Sequence, residues 1–131
     1  MTRFLLDTDT VSFAMRDVGA VGARLRAHAP SQVAISVITL AELRYGAARK
    51  RSAVLARSIE AFLAPITILP FSAEAARRYA QLVADLEHQG APLDDFDALI
   101  AAHALVEQRT LVTHNRRHFA RVGHLSLDDW C

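Results

Sequence analysis

Three acidic residues stand where an α/β chain tends to place its chemistry: Asp7 after the apolar run Phe4-Leu5-Leu6, Glu42 inside the segment Ser36 to Ala48, and Asp97 at the start of the segment that runs to Val106. They are remote from one another in the chain, so only tertiary structure can bring them together. Carboxylates held close repel and raise one another's pKa unless a cation sits among them. The donor set is all oxygen, which favours a hard divalent ion, Mg²⁺ or Mn²⁺, over zinc. Such an ion acidifies a water and offsets charge on phosphoryl oxygens, so phosphodiester cleavage is the chemistry to expect. Asn115, after the apolar stretch Thr110 to Thr113, offers one more oxygen donor. Each residue taken alone has a plainer explanation. Asp7 can cap a helix, Glu42 can be a solvated acid favoured by a helix dipole, and Asp97 shares a helix start with Asp94 and Asp95.

The elements that must position these acids read as short strands alternating with helical segments. Strands are expected at Phe4–Leu6, Val33–Ile35, Ile66–Leu69 and Thr110–Thr113, with a further short one in the tail between Val122 and Leu127. Asp7-Thr8-Asp9-Thr10 reads as a turn or helix cap. Helical spacing of apolar residues marks a weak helix between Gly19 and His28 and stronger ones over Ser36–Ala48, Arg51–Leu63, Ser72 to Gly90, and Asp94 or Asp95 to Val106. The economical architecture is an α/β fold with a short-stranded parallel sheet covered by helices on both faces, an α/β/α sandwich. Ligands of such sheets lie beyond the carboxyl ends of the strands, where the strand order reverses.

Composition bounds the rest. At 131 residues, 52 % hydrophobic and 22 % charged, the chain has material for one domain spanning 1–131 with a sizeable core, and it is not a disordered polymer. No apolar run reaches the ~18 residues of a membrane span. Asp7 interrupts any signal-like segment and the one cysteine, Cys131, cannot bridge internally, so a cytoplasmic protein is expected. The net charge of +1 announces no nucleic-acid partner, although every cation but Lys50 is arginine, whose planar fork suits phosphate.

Taken in order, Leu6-Asp7-Thr8-Asp9 with Ser12, Ala41-Glu42-Leu43-Arg44-Tyr45-Gly46, Phe96 to Leu105 around Asp97, Leu111-Val112-Thr113-His114-Asn115 with Phe119, and the closing Leu127-Asp128-Asp129-Trp130 resemble a PIN-domain ribonuclease of the VapC toxin family over essentially the whole chain. That resemblance implies a PIN-like sandwich in which Asp7, Glu42 and Asp97 bind Mg²⁺ or Mn²⁺. It implies an endoribonuclease toxin acting on structured RNA such as tRNA or rRNA, and a small VapB-like antitoxin whose C-terminal segment blocks the site. A homodimer and a toxin–antitoxin hetero-oligomer are implied as well. Two positions depart from the family pattern. Asp9 stands where Asn is common, and Asn115 stands where many PIN domains have a fourth acid, a place that Asp94 or Asp9 could fill instead.

Two rivals are weighed. Asp7-Thr8-Asp9-Thr10 also suits the opening motif of haloacid-dehalogenase-like phosphatases, with Asp7 as a covalent nucleophile, but the later Lys or Arg beside an acid pair at a strand end is missing. A non-catalytic module that only binds RNA or a partner is the other. Arg44 and Arg49 to Arg51, with Arg116, Arg117 and Arg121, are candidate phosphate contacts, in particular Arg44, Arg116 and Arg117. His114 and His118 are four apart without a supporting Cys, so a zinc site is disfavoured, and His103 falls on another helix face than Asp97. Phe119 and Trp130 are expected as core anchors, and Leu40, Leu43 and Leu55 as core or antitoxin groove.

Overall fold

The structure, a computed structural model, describes residues 2–131. Its elements are β1 (Phe4–Leu6), α1 (Thr8–Met15), α2 (Val21–Arg26), a 3-10 turn (Pro30–Gln32), β2 (Val33–Ser36), α3 (Val37–Arg49), α4 (Ala53–Leu63), β3 (Thr67–Leu69), α5 (Ala73–His88), α6 (Asp95–Val106), β4 (Thr110–Val112), α7 (Arg116–Phe119) and β5 (Leu127–Asp128). The strands form one sheet in the order β3-β2-β1-β4-β5, and every pairing is parallel. Strands buried on both faces read as uninterrupted apolar runs, and β1 and β2 are fully buried along their length.

Successive strand side chains point to opposite faces and so divide the core in two. Phe4, Leu6, Val33, Ile35 and Val112 pack with Val11, Val21, Leu43, Ile59 and Leu63 on one face. Leu5, Ala34 and Leu111 pack with Leu82 and Leu86 of α5, Ala98, Ile100 and Ala101 of α6, and Phe119 on the other. The α/β/α sandwich expected from the pattern is the fold observed. The expected core anchors are there too, with Phe119 and Trp130 buried. Trp130 meets Phe4 edge-on at 5.1 Å and stacks on the His28 ring at 5.1 Å. Next to it, Gly19 adopts φ +63, and a Cβ there would lie 3.1 Å from the Cys131 backbone, so the turn takes no larger residue without strain.

Three local differences from the sequence expectation have physical causes. The segment after Asp7 is a helix and not merely a turn, because the Asp7 carboxylate accepts from the Thr10 N–H at 2.9 Å and starts α1 at once. The one-turn α7 is too short to show periodicity. The tail strand shrinks to Leu127–Asp128, since His124 at φ +66 breaks any extended run from Val122.

The order of the strands positions the site. The chain builds outward from β1 through β2 to β3, then returns to add β4 and β5 on the other side of β1. The crevice at that reversal lies beyond the carboxyl end of β1, where Asp7 sits.

Candidate metal centre

Asp7 follows β1 directly and is only 5 % exposed. Its backbone N–H donates to the Val112 carbonyl at 3.1 Å, tying it to β4. The Thr10 hydroxyl donates to that same carbonyl at 3.0 Å. Glu42 reaches the edge from α3, which Ser36 starts by accepting from the Ile38 N–H at 3.0 Å. Glu42 lies in the second turn of α3, beyond the first-turn positions where dipole compensation alone would account for an acid. Asp97 lies in the first turn of α6, whose cap is Asp94, accepting from the Phe96 N–H at 3.2 Å.

The electrostatics show that these acids share one field. Burial pushes the Asp97 carboxyl up to about 6, and the charges of Asp94, Asp7, Glu42 and Asp9 add to the push. Glu42 is also raised, first by burial and then by Asp94, Asp9 and Asp7, while the Thr8 hydroxyl draws it back. Asp7 is raised by burial against the opposing hydrogen-bonding groups of Thr10 and Thr113, with Asp9 adding its charge. Residues from positions 7 to 97 therefore converge at one sheet edge. No cation answers them: among the described residues the ion pairs are Arg24–Asp128 and His114–Asp129, neither of which involves these five acids.

Half-buried oxygens that repel and have no basic partner fit a hard divalent ion. Among the described residues no three His, Cys, Asp or Glu side chains are gathered tightly enough to hold an ion directly.

Asn115 lies past the end of β4, the strand next to β1. Its N–H donates to the Thr113 hydroxyl at 3.0 Å, and its side-chain amide meets His118 Nδ1 at 2.6 Å. His114 instead pairs with Asp129 at 3.0 Å, so the two histidines have separate partners and no common focus. His103 is buried in α6, its Nδ1 2.7 Å from the Ser36 hydroxyl, and burial lowers its pKa. It links α6 to the cap of α3 and does not face the acids' crevice as a ligand.

Hydroxyls are what the sequence reasoning missed. Thr8 donates to Glu42 Oε1 at 2.6 Å and lies 3.3 Å from the Thr39 hydroxyl, so it orients the glutamate from the neighbouring helix. The signal was present in the alternation Asp7-Thr8-Asp9-Thr10, where a hydroxyl follows each acid. Beside Glu42 a groove of about 370 Å³ runs between α1, α3 and α4. Thr8, Ser12, Arg16, Arg49 and Lys50 line it above a floor that includes Met15, Leu43 and Leu55. Arg44 lies outside it, in the α3–α4 cleft with Glu60. Arg116 and Arg117 are exposed at the start of α7.

The PIN domain family matches residues 4–125 of the chain. The tRNA(fMet)-specific endonuclease VapC of Shigella flexneri is 38 % identical over 134 residues, covering 99 % of each chain. Ribonuclease VapC2 of Rickettsia felis is 39 % identical over 99 residues, 75 % of this chain and 74 % of that one. Among solved structures, VapBC2 from Rickettsia felis bound to a promoter DNA fragment superposes with a TM-score of 0.92 at 32 % identity, covering 99 % of this chain and 100 % of that one. DNA-bound VapBC from Salmonella typhimurium gives a TM-score of 0.89 at 33 % identity over the full length of both. These relatives leave no place for the phosphatase rival or for a module without catalysis. The chain belongs to the PIN-domain family, as an endoribonuclease toxin of the VapC group.

Proposed function

We propose that this chain, as one domain over 1–131, cleaves a structured RNA of the tRNA class in the cytoplasm with Mg²⁺ or Mn²⁺ held by Asp7, Glu42 and Asp97. Asn115 and either Asp94 or Asp9 support the ion from the rim. The observation that carries this is the convergence of five carboxylates, with three raised pKa values and no basic partner, at the strand-order reversal. When bound, the ion supplies an acidified water and a positive charge for the phosphoryl oxygens. The side chains do the rest. Thr8 favours the charged form of Glu42 against the push of burial and fixes its direction, and the Thr10 N–H does the same for Asp7. Arg16, Arg49 and Lys50 give the adjoining groove a cationic rim that suits an RNA backbone, with Arg44, Arg116 and Arg117 as outlying phosphate contacts. The tRNA class comes from the Shigella flexneri relative, named as an endonuclease specific for tRNA(fMet).

The antitoxin is a VapB-like chain, as in the VapBC complexes that this fold superposes on. Its C-terminal segment would lie in the groove beside Glu42, over Met15, Leu43 and Leu55, and exclude RNA. Toxin homodimers would then assemble with antitoxin into a hetero-oligomer. Labelled initiator tRNA incubated with the purified chain tests this. Cleavage at defined positions is expected with Mg²⁺ or Mn²⁺, abolished by chelator and by added antitoxin. Uncut tRNA with either metal, or cutting that chelator leaves intact, would overturn the assignment.

A further inference from the structure

At the other end of the strands from the acids lies a second polar cavity, of about 440 Å³, walled by Arg78, Gln108, Arg109, Thr110, His124 and Ser126. Among the described residues no acidic side chain lines it. Arg109 is 8 % exposed, an uncommon degree of burial for a cation. Its Nη1 donates to the Phe4 carbonyl at 3.2 Å and the Gln32 carbonyl at 3.4 Å, across the start of the sheet. Its Nε hydrogen has no acceptor, and among the described residues no hydrogen bond is found from Nη2. A guanidinium presents its hydrogens in a rigid planar fork. With Nη1 turned to backbone carbonyls and Nε buried without an acceptor, Nη2 is the nitrogen left to bond an added oxygen, and a phosphate there would also offset the charge that the buried guanidinium carries.

The surroundings favour an anion. No carboxylate pairs with Arg109 among the described residues. Burial works against its charge and so does Arg3 nearby, with Glu107 the acid whose field opposes them. A buried, unpaired charge is costly unless something answers it. Arg78 and His124 share the cavity wall, and the Thr110 and Ser126 side chains add hydroxyls. We propose that this cavity is a phosphate-binding site separate from the acid cradle, taking either free phosphate or a phosphate group of an RNA strand. The inference does not depend on cleavage, since Arg109 precedes β4 whereas Asn115 follows it.

The test is an NMR titration of the ¹⁵N-labelled full chain with inorganic phosphate, against chloride at constant ionic strength. The titration is repeated with an RNA dinucleotide carrying a 5′-phosphate and with its 5′-hydroxyl counterpart. Saturable shifts are expected at Arg109 Nε–H and at the Thr110 and Ser126 amides. Inorganic phosphate and the 5′-phosphorylated dinucleotide acting alone would mark a site for free or terminal phosphate. The 5′-hydroxyl dinucleotide acting as well would mark a site for the strand's diester. Removing Arg109 also strands two carbonyls, so the partly exposed Arg78 is the residue to change, and Arg78→Ala should weaken binding about tenfold, as loss of one charged hydrogen-bond partner does. No saturable shift with any of the three probes would overturn the proposal, as would binding undiminished in a folded Arg78→Ala protein.

Discussion

The two ends of this sheet hold unpaired charges of opposite sign. Beyond the carboxyl ends of the strands, Asp7, Asp9, Glu42, Asp94 and Asp97 share one field, and among the described residues none of them has an ion-pair partner, the nearby cations Arg16, Arg49 and Lys50 lining the groove beside Glu42 instead. At the amino ends, Arg78 and Arg109 share a cavity that no acid lines among the described residues, and Arg3 disfavours the Arg109 charge while Glu107 opposes that push from outside the cavity. The total charge of +1 conceals both. Segregation along the strand axis, and not the sum, decides what each end can hold. The acid end is made tolerable by the helices that begin there, because α1 and α3 turn the positive ends of their dipoles toward the crevice.

The sharpest way to break this contrast is to remove one acid. Asp97→Asn should lower RNA cleavage on the order of a thousandfold, the scale of losing one preorganised charge-stabilising group. It should also raise the unfolding midpoint of the metal-free protein by a few degrees, since a repelling charge has gone. Unchanged cleavage in a gel assay would remove Asp97 from the centre.

Acidity should act on the same end with opposite signs for stability and activity. Asp97 titrates near 6 when folded and near 3.8 when unfolded, so between those values the folded state binds more protons. The Asp97 contribution to metal-free stability therefore falls as pH rises through that window and levels off above about 6, against the opposite trend of buried His103, whose lowered pKa adds stability as pH rises toward its ordinary value. Added Mg²⁺ should flatten the slope, because the ion favours the charged carboxylates. Cleavage runs the other way and should decline below about pH 6 as the ligands protonate. Thermal melts of the metal-free parent and Asp97→Asn proteins and initial rates from pH 4 to 8 check both, and a midpoint difference between the two proteins that does not change across the window would contradict the crowding.

The smallest expected effect belongs to the hydroxyl behind Glu42. Thr8→Val should weaken Mn²⁺ binding by about 10- to 100-fold, as loss of an outer-shell partner does, while Thr8→Ser retains it. Electron paramagnetic resonance of bound Mn²⁺ measures this without RNA. Equal affinity in Thr8→Val would reduce the 2.6 Å contact to a packing detail.

Much of the architecture was legible because buried parallel strands advertise themselves: Phe4-Leu5-Leu6, Val33-Ala34-Ile35 and Thr110-Leu111-Val112 are short apolar runs, each bounded by polar residues or turn formers. α1 was not legible as a helix. Its eight residues carry three with β-branched side chains and no clear apolar stripe, and what starts it is one carboxylate-to-amide bond. Asp7 shows why capping and chemistry are poor alternatives, since the group that starts α1 is the one buried at the crevice. The resemblance to PIN domains pointed to the acids, but local pattern could not supply Thr8, whose partner lies 34 residues away. Arg109 was equally invisible, because an arginine before a strand reads as a surface cation until the fold closes over it.

The pairing of β1 with β4 sets the order in which this protein becomes dangerous. Asp7 emerges from the ribosome early, yet the carbonyl that anchors it belongs to Val112, and Asp97 arrives only shortly before that. A chain short of residue 97 lacks part of the acid set and one short of residue 112 still lacks the anchor, so the nascent protein should stay harmless for most of synthesis, and the hazard should switch on only once the central strand gains its second neighbour.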